Sequence, residues 1–266
     1  MKEKLSVGLV QIDLVWENPS LNRKIIEKKI LEEQSDIDLF VLPEMFTSGF
    51  TFNPKNIAES MQGETIIWLK QLSKIKNAAI CGSLVIKEKK CFYNRFVFVE
   101  PNGLIHFYDK RHTLPALAGI TGNMVGEAES YCSGSNLGLV EYNEWKILLR
   151  VCYDLRFPVW SRNTQFYDLL IFVANWPSPR INAWDNLIIA RAIENVSYCI
   201  GVNRVGSDEN ENFYPGHSLV IDPLGKRILD LETKTGVYCI KIDKQHLKNT
   251  RNSLPFLKDK DSFILE

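Results

Sequence analysis

Apolar and polar positions along the chain predict alternating strands and helices. The first apolar segment, "LSVGLVQIDLV", carries apolar side chains on both of its faces: Leu5, Val7 and Leu9 on one, Val10 and Ile12 on the other. This pattern is typical of a strand that is covered on both sides. "NRKIIEKKILEEQ" follows with apolar residues at helical spacing, and "ETIIWLKQLSKIKN" and "AWDNLIIARAIENVSY" repeat that spacing. Between them stand further buried strands such as "AAICGSLVI" and "DLLIFVANW".

Turn residues and the closing segments complete the predicted elements. Pro101, Asn102 and Gly103 separate two alternating runs and predict a hairpin. "WKILLRVC" predicts a strand, "FPVWSRNTQF" a short helix with Pro158 near its start, and "CIGVNRV", "HSLVIDPLGKRILDL" and "VYCIKID" the closing strands. Such a layered α/β chain could be two sheets packed face to face with helices outside, or one doubly wound sheet. Without a linker or repeat, we expect a single domain over residues 1–266.

Composition excludes several classes of partner. The chain has 32 basic and 32 acidic side chains, so no net field favours nucleic acid or an anionic membrane. Its longest apolar runs are too short to span a bilayer. Because the strand pattern begins within the first residues, we expect no secretory signal and a cytoplasmic location.

Six cysteines are scattered along the chain without a C-x-x-C pair: Cys81, Cys91, Cys132, Cys152, Cys199 and Cys239. Their spacing does not suggest a metal site. In a cytosolic chain of this length we expect free thiols, most of them in the core.

Three chemically active residues each follow an apolar strand. Glu44 ends "DLFVLPE", Lys110 ends "GLIHFYDK" and Cys152 ends "ILLRVC". Since the carboxyl ends of strands in α/β folds gather at one edge, we expect an acid, an amine and a thiol to meet there. Taken alone, Glu44 and Lys110 are more simply surface residues and Cys152 a buried cysteine. Their shared position favours a site.

The three groups together suit acyl transfer through a thioester. A thiol with an ordinary pKa near 8.5 needs a base or a positive neighbour to attack at neutral pH. The carboxylate of Glu44 can take the proton, and the ammonium of Lys110 can stabilise an oxyanion.

Five motifs, three of which carry these residues, resemble the nitrilase, or carbon–nitrogen hydrolase, superfamily, and most closely its ω-amidase branch. They are "LPEMFTSGF", "YDKRH", "VCYDLRFPVWSRN", "ANWPSPR" and "RAIENVSYCIGVNRVG". The resemblance covers nearly the whole chain, from "VGLVQIDLVWENP" to "RNSLPFLKDKD".

The resemblance implies a role for each matching residue. Glu44 would be the general base, Lys110 the catalytic lysine and Cys152 the nucleophile, with Glu127 as a second glutamate near the active site. The backbone N–H of Tyr153 would hold the oxyanion together with Lys110. The family also implies a four-layer α-β-β-α sandwich, a homodimer formed through the α faces, and no metal or organic cofactor.

One segment departs from the family pattern. Residues 113–123, "TLPALAGITGN", are longer and more apolar than expected, and we expect them to cover the entrance of the active site. Glu127 follows this segment, so its placement, like substrate preference, depends on it.

Other polar residues near the motifs have more than one interpretation. Trp176 and Arg180 in "NWPSPR" could line the pocket, and Arg180 could bind a substrate carboxylate or pair with a structural acid. We expect Asp154 and Arg156 to form a structural pair. A Cys–His hydrolase would need a histidine in place of Glu44, for which His112 and His217 are candidates.

We therefore predict a thiol amidase without a cofactor. The ω-amidase resemblance implies α-ketoglutaramate and α-ketosuccinamate as substrates. The alternatives are the same machinery acting on another amide, an N-carbamoyl amine or a nitrile, and a catalytically silent dimeric binding scaffold.

Overall fold

The computed structural model describes residues 2–116 and 126–264 and contains two six-stranded sheets. The first sheet has the spatial order β14-β1-β2-β3-β4-β5. β2 pairs in parallel with β1 and with β3, and the other pairs are antiparallel. Its strands are β1 (Lys4–Gln11), β2 (Leu39–Val41), β3 (Ala79–Glu88), β4 (Cys91–Val99), β5 (Ile105–Asp109) and β14 (Gly236–Asp243).

The second sheet has the spatial order β13-β12-β9-β8-β7-β6, and β8 pairs in parallel with both β7 and β9. β10 and β11 form a separate two-stranded hairpin. The strands are β6 (Leu139–Tyr142), β7 (Trp145–Val151), β8 (Leu169–Ala174), β9 (Tyr198–Asn203), β10 (Val205–Ser207), β11 (Phe213–Pro215), β12 (Leu219–Ile221) and β13 (Arg227–Asp230).

Helices cover the outer faces of both sheets. The α-helices are α1 (Pro19–Glu32), α2 (Glu64–Lys76), α3 (Ile181–Asn195) and α4 (Lys244–Ser253). Short 3₁₀ helices occur at Pro54–Asn56, Glu127–Glu129, Cys152–Arg156, Val159–Ser161, Ser178–Arg180 and Phe256–Asp259. The first sheet packs on α1 and α2, and the second on α3.

Alternation along the strands builds three apolar layers. In β1, Leu5 and Val7 point into the core between the sheets, whereas Val10 packs toward α1 and α2. In β7, Leu149 points into the same central core and Leu148 toward α3. The chain is therefore an α-β-β-α sandwich, so the first of the two predicted arrangements is confirmed.

The hairpin at Pro101–Gly103 and helix α3 are confirmed, whereas the helix predicted after Pro158 is only a single 3₁₀ turn at Val159–Ser161. Among the described residues, no helix is long and apolar enough to cross a membrane. Most of residues 113–123 lies outside the described residues, so the predicted cover over the entrance stays a prediction. The 1–266 extent of the domain likewise stays a prediction.

The expectation that all six cysteines are free is wrong for one pair. Cys91, at the start of β4, forms a disulfide with Cys132. The backbone N–H of Cys132 also donates to the carbonyl of Phe92, 2.8 Å away. Spacing could not reveal this pair because 41 residues separate its members and the hairpin β4–β5 brings them together. Cys81, Cys152, Cys199 and Cys239 are free thiols.

We expect reduction of this disulfide to lower the free energy of unfolding by about 3 to 4 kcal/mol, because it releases a closed loop of this length in the unfolded chain. Urea unfolding with and without dithiothreitol measures the difference. The double variant Cys91→Ser/Cys132→Ser is the control, since its stability should not respond to the reductant. Six titratable thiols in the denatured, non-reduced protein would contradict the pairing.

Candidate active site

Glu44 lies three residues beyond β2 and is completely buried. Its Oε1 accepts hydrogen bonds from Nδ2 of Asn94, at 2.8 Å, and from Nζ of Lys110, at 3.2 Å. Its Oε2 accepts the backbone N–H of Asn175 at 2.7 Å. Nδ2 of Asn175 donates to the backbone carbonyl of Glu44, 2.8 Å away. The carboxylate is thus held in one orientation by groups from three strands.

Lys110 follows β5 directly, and its ammonium is buried between two carboxylates. Nζ donates to Oε2 of Glu127 at 2.8 Å and to Oε1 of Glu44 at 3.2 Å. The ring of Phe50 lies 5.3 Å from Nζ. Burial by itself lowers the pKa of Lys110, but attraction to Glu127 and Glu44 outweighs it and holds this pKa well above its ordinary value. The ammonium therefore keeps its charge.

Glu127 opens the 3₁₀ helix Glu127–Glu129 and completes the cluster. Its Oε2 accepts the backbone N–H of Leu114 at 2.8 Å in addition to Lys110. Burial raises the pKa of Glu127 even though Lys110 opposes the shift. The nearby Glu129 is exposed and accepts the N–H of Gly126, so it does not belong to this cluster.

Cys152 follows β7 and begins the 3₁₀ helix Cys152–Arg156 in a left-handed backbone conformation, with φ of 43°. Its side chain is partly exposed to the cavity and interacts with the Glu44 carboxylate. Burial and the charge of Glu44 raise the pKa of the Cys152 thiol well above its ordinary value, against a lowering by Lys110. The resting sulfur is thus a protonated thiol beside a carboxylate, an arrangement suited to general-base activation.

Tyr153 is the second residue of that 3₁₀ helix and lines the cavity. The first N–H groups of a helix have no partner inside it. We therefore expect the N–H of Tyr153, the residue after Cys152, to be free to bind an oxyanion, and this role stays a prediction.

A cavity of about 300 Å³ opens in front of Cys152. Both Trp176 and Arg180 line it, as predicted, and Nε1 of Trp176 donates to the carbonyl of Arg180 at 2.7 Å. Other lining residues are Phe50, Phe52, Lys110, Leu114, Tyr153, Arg156, Asn175, Pro177, Asp208, Asn210, Asn212 and Tyr214. The last four come from the hairpin β10–β11 and its turn.

Arg156 is a cavity residue that the sequence interpretation placed wrongly. Its predicted partner Asp154 is buried and accepts hydrogen bonds from Tyr108 and His112 instead. The guanidinium of Arg156 lies 5.1 Å from the ring of Trp176, in the wall of the cavity.

The asparagines that orient Glu44 were also missed. Asn94 is a buried amide within the β4 strand "CFYNRFVFV", and Asn175 directly follows "LLIFVA". A buried amide at such a position needs partners, and this signal could have identified both residues.

Neither candidate histidine is placed as a base for Cys152. His112 bonds to Asp154 at 2.8 Å, and His217 bonds to Asp185 at 3.1 Å. In residues 2–116 and 126–264, no group of three or more His, Cys, Asp or Glu side chains could hold a metal ion.

Comparison with known proteins gives the class of this chain. The carbon-nitrogen hydrolase family model matches residues 6–252. XC1258 from Xanthomonas campestris, a CN-hydrolase superfamily protein solved with an arsenic adduct in its active site, has a TM-score of 0.92 at 38% identity, covering 99% of each chain. The chain therefore belongs to the carbon-nitrogen hydrolase family, and its four-layer fold is that of the family.

The curated relatives narrow the resemblance within that family. "Omega-amidase YafV" of Escherichia coli (strain K12) is 41% identical over 98% of both chains. "2-oxoglutaramate amidase" of Bacillus subtilis (strain 168) is 32% identical over 96% of this chain and 97% of its own. The resemblance to the ω-amidase branch is thereby confirmed, and the chain is a hydrolase of carbon–nitrogen bonds in linear amides.

Because the resting thiol of Cys152 has a raised pKa, we expect its alkylation by iodoacetamide to accelerate about tenfold per pH unit between about pH 6 and about pH 9. Mass spectrometry of the labelled peptide measures the rate. The variant Cys152→Ala gives the background from the other partly exposed thiol, Cys239. A rate independent of pH would mean that the thiolate is already formed, contrary to this description.

Proposed function

We propose that this chain is an ω-amidase that hydrolyses the terminal carboxamide of small α-keto dicarboxylate monoamides, such as α-ketoglutaramate and α-ketosuccinamate, through a cysteine thioester. The observation that carries the proposal is the meeting of Cys152, Lys110 and Glu44 beside a cavity whose wall also contains two arginines. The names and identities of the two curated relatives support the same substrate class.

In the first half of the reaction, Glu44 takes the proton of the Cys152 thiol as the sulfur attacks the carboxamide carbon. The tetrahedral oxyanion is held by the ammonium of Lys110 and the backbone N–H of Tyr153. Glu44 then passes its proton to the nitrogen, and the C–N bond breaks. Ammonia departs, and the acyl group remains bound to Cys152 as a thioester.

In the second half, a water molecule gives a proton to Glu44 and attacks the thioester carbon. The same oxyanion donors act again, the C–S bond breaks, and Glu44 returns its proton to the departing sulfur to restore the thiol. The carboxylic acid that is released passes its proton to ammonia, which gives a carboxylate and an ammonium ion. Glu127 contributes by accepting a second hydrogen bond from Nζ of Lys110, which helps to hold the ammonium beside Glu44. The balance is one amide and one water in, one carboxylate and one ammonium out.

Arg180 is suited to hold the free carboxylate of the substrate. Among the described residues no acid pairs with it, and its Nη1 is buried without a hydrogen-bond partner. Burial lowers the pKa of Arg180, and the positive charge of Arg156 acts in the same direction. A substrate carboxylate bound between the two guanidiniums would offset both the burial of the Arg180 charge and its repulsion from Arg156.

Homodimer formation and a cytoplasmic location stay predictions. Exposed apolar side chains on the α3 side, Val159, Ile193 and Leu224, are compatible with a dimer through that α face. Disulfides are uncommon in the cytosol, so the Cys91–Cys132 pair is an unusual feature for that compartment.

We expect ammonia release from α-ketoglutaramate or α-ketosuccinamate to exceed that from plain amides, nitriles and N-carbamoyl amines in a parallel screen. In the same assay Cys152→Ala should fall to background, and Glu44→Gln should lose about 10² to 10⁴ in kcat because its neutral amide cannot accept the thiol proton. Circular dichroism should show both variants folded.

If N-carbamoyl amines are hydrolysed faster than the α-keto amides, detected as release of carbon dioxide, the substrate is an N-carbamoyl amine instead. Undiminished ammonia release by Cys152→Ala would show that Cys152 is not the nucleophile. A wild-type protein inactive on every class would favour the silent scaffold.

The carboxylate assignment is tested by Arg180→Met, which removes the charge at similar length. We expect kcat/KM for α-ketoglutaramate to fall about 10- to 100-fold, mainly through KM, because a charge-assisted hydrogen bond is lost. Hydrolysis of butyramide, which has no carboxylate, should change little. Arg162→Met is the control, since Arg162 donates to the carbonyl of Glu194 away from the cavity. Equal losses on both substrates would instead assign Arg180 a structural role.

A further inference from the structure

Asp154 is a completely buried carboxylate that connects two separate parts of the site. It stands two residues after Cys152 in the 3₁₀ helix Cys152–Arg156. Its two oxygens accept four hydrogen bonds from three residues, and among the described residues none of these donors is an arginine or a lysine. A buried carboxylate satisfied in this way fixes its donors in space, because losing any one of them leaves an unsatisfied charge.

On the nucleophile side, Oδ2 of Asp154 accepts the backbone N–H of Val151 at 3.1 Å. This bond closes the turn around Cys152, whose left-handed backbone is disfavoured for a residue with a side chain. Asp154 therefore helps to hold the conformation that presents the sulfur to the cavity.

On the lysine side, Asp154 binds the residues two positions before and two positions after Lys110. Oη of Tyr108 donates to Oδ2 at 2.7 Å, and the backbone N–H and Nδ1 of His112 approach Oδ1 at 3.1 and 2.8 Å. Tyr108 stands two residues before Lys110 and His112 two residues after it. The short segment that carries the ammonium is thus fixed at both ends to the helix that carries the sulfur.

Packing around these donors reinforces the connection. The imidazole of His112 stacks on the ring of Phe157, at 3.6 Å between centroids, and Phe157 ends the helix Cys152–Arg156. Nε1 of Trp160 donates to Oη of Tyr108 at 2.8 Å. Burial and the neighbouring Asp154 raise the pKa of Tyr108 well above its ordinary value, so the phenol remains a hydrogen-bond donor.

We propose that Asp154 is a positioning residue which, through Tyr108 and His112, sets the separation between the Cys152 sulfur and the Lys110 ammonium. The inference rests on the roles proposed above for Cys152 and Lys110. Its chemical basis is that the ammonium stabilises the oxyanion only at hydrogen-bonding distance, and a displacement of about 1 Å can cost about 10²-fold in rate.

The first test compares two replacements of His112, because a change of Asp154 itself leaves four donors unpaired and endangers folding. His112→Ala should lower kcat about 10- to 100-fold with KM changed less than about threefold, since binding groups stay in place. His112→Asn keeps a side-chain N–H donor and should recover most of the loss. His106→Ala is the control on β5, where His106 bonds to Glu100 away from the cavity.

The second test needs no turnover and uses the pH dependence of Cys152 alkylation. The charged groups that face this thiol are Glu44, Lys110, Glu127 and Arg180. Lys110 lowers the pKa of the thiol, so moving it away in His112→Ala should shift the alkylation midpoint upward by about 0.5 to 1 pH unit. Tyr108→Phe/His112→Ala should shift it further, and His112→Asn should return it toward the wild-type value.

The two readouts separate failure of this proposal from failure of the proposed function. If the wild-type protein has no amidase activity but His112→Ala still shifts the alkylation midpoint, the proposed substrate is refuted and the positioning role of Asp154 is supported. Variants that lose thermal stability but keep the wild-type midpoint would show a purely structural role for Asp154 and overturn the proposal. A wild-type kcat in His112→Ala would also overturn the proposal. So would a kcat of His112→Asn that is no higher than that of His112→Ala.

Discussion

The burial of one ammonium between two carboxylates is the interaction on which the site depends. Removing Lys110, Glu44 and Glu127 from water costs several kcal/mol for each charge, and their mutual attraction offsets that cost only with close contacts and additional hydrogen bonds. Asn94, Asn175 and the N–H of Leu114 supply those bonds. Burial, together with the charge of Glu44, raises the pKa of the Cys152 thiol against the opposing effect of Lys110, so the sulfur stays protonated beside the side chain that can accept its proton.

The site is assembled across the sandwich and not within one sheet. Glu44 and Lys110 extend from strands of the first sheet, whereas Cys152 extends from β7 of the second. The relative position of acid, amine and thiol therefore depends on the central apolar core, to which both sheets contribute side chains such as Val41 and Val151, in addition to the hydrogen bonds of Asp154. Because such cores are close-packed, they transmit small changes in volume to the groups at their edge.

Strand patterns predicted much of this arrangement because the ends of buried strands can be read from one chain. Glu44, Lys110 and Cys152 each follow an apolar run, and the structure brings them together. Which polar residues face one another across sheets depends on register and sheet pairing, which periodicity does not encode. For that reason the Cys91–Cys132 disulfide and the true partners of Asp154 did not emerge from spacing. The helix after Pro158 was overestimated since only one 3₁₀ turn forms there.

The Cys91–Cys132 bond closes a covalent ring that includes Asn94, Lys110 and Glu127. A single proteolytic cut anywhere between the two cysteines would leave both fragments attached, so the lysine and its glutamate would remain in one molecule. After heating, the same ring keeps these groups at a high local concentration relative to each other. With the Cys91–Cys132 disulfide intact, the protein should re-form its charged cluster after denaturation more readily than the reduced protein.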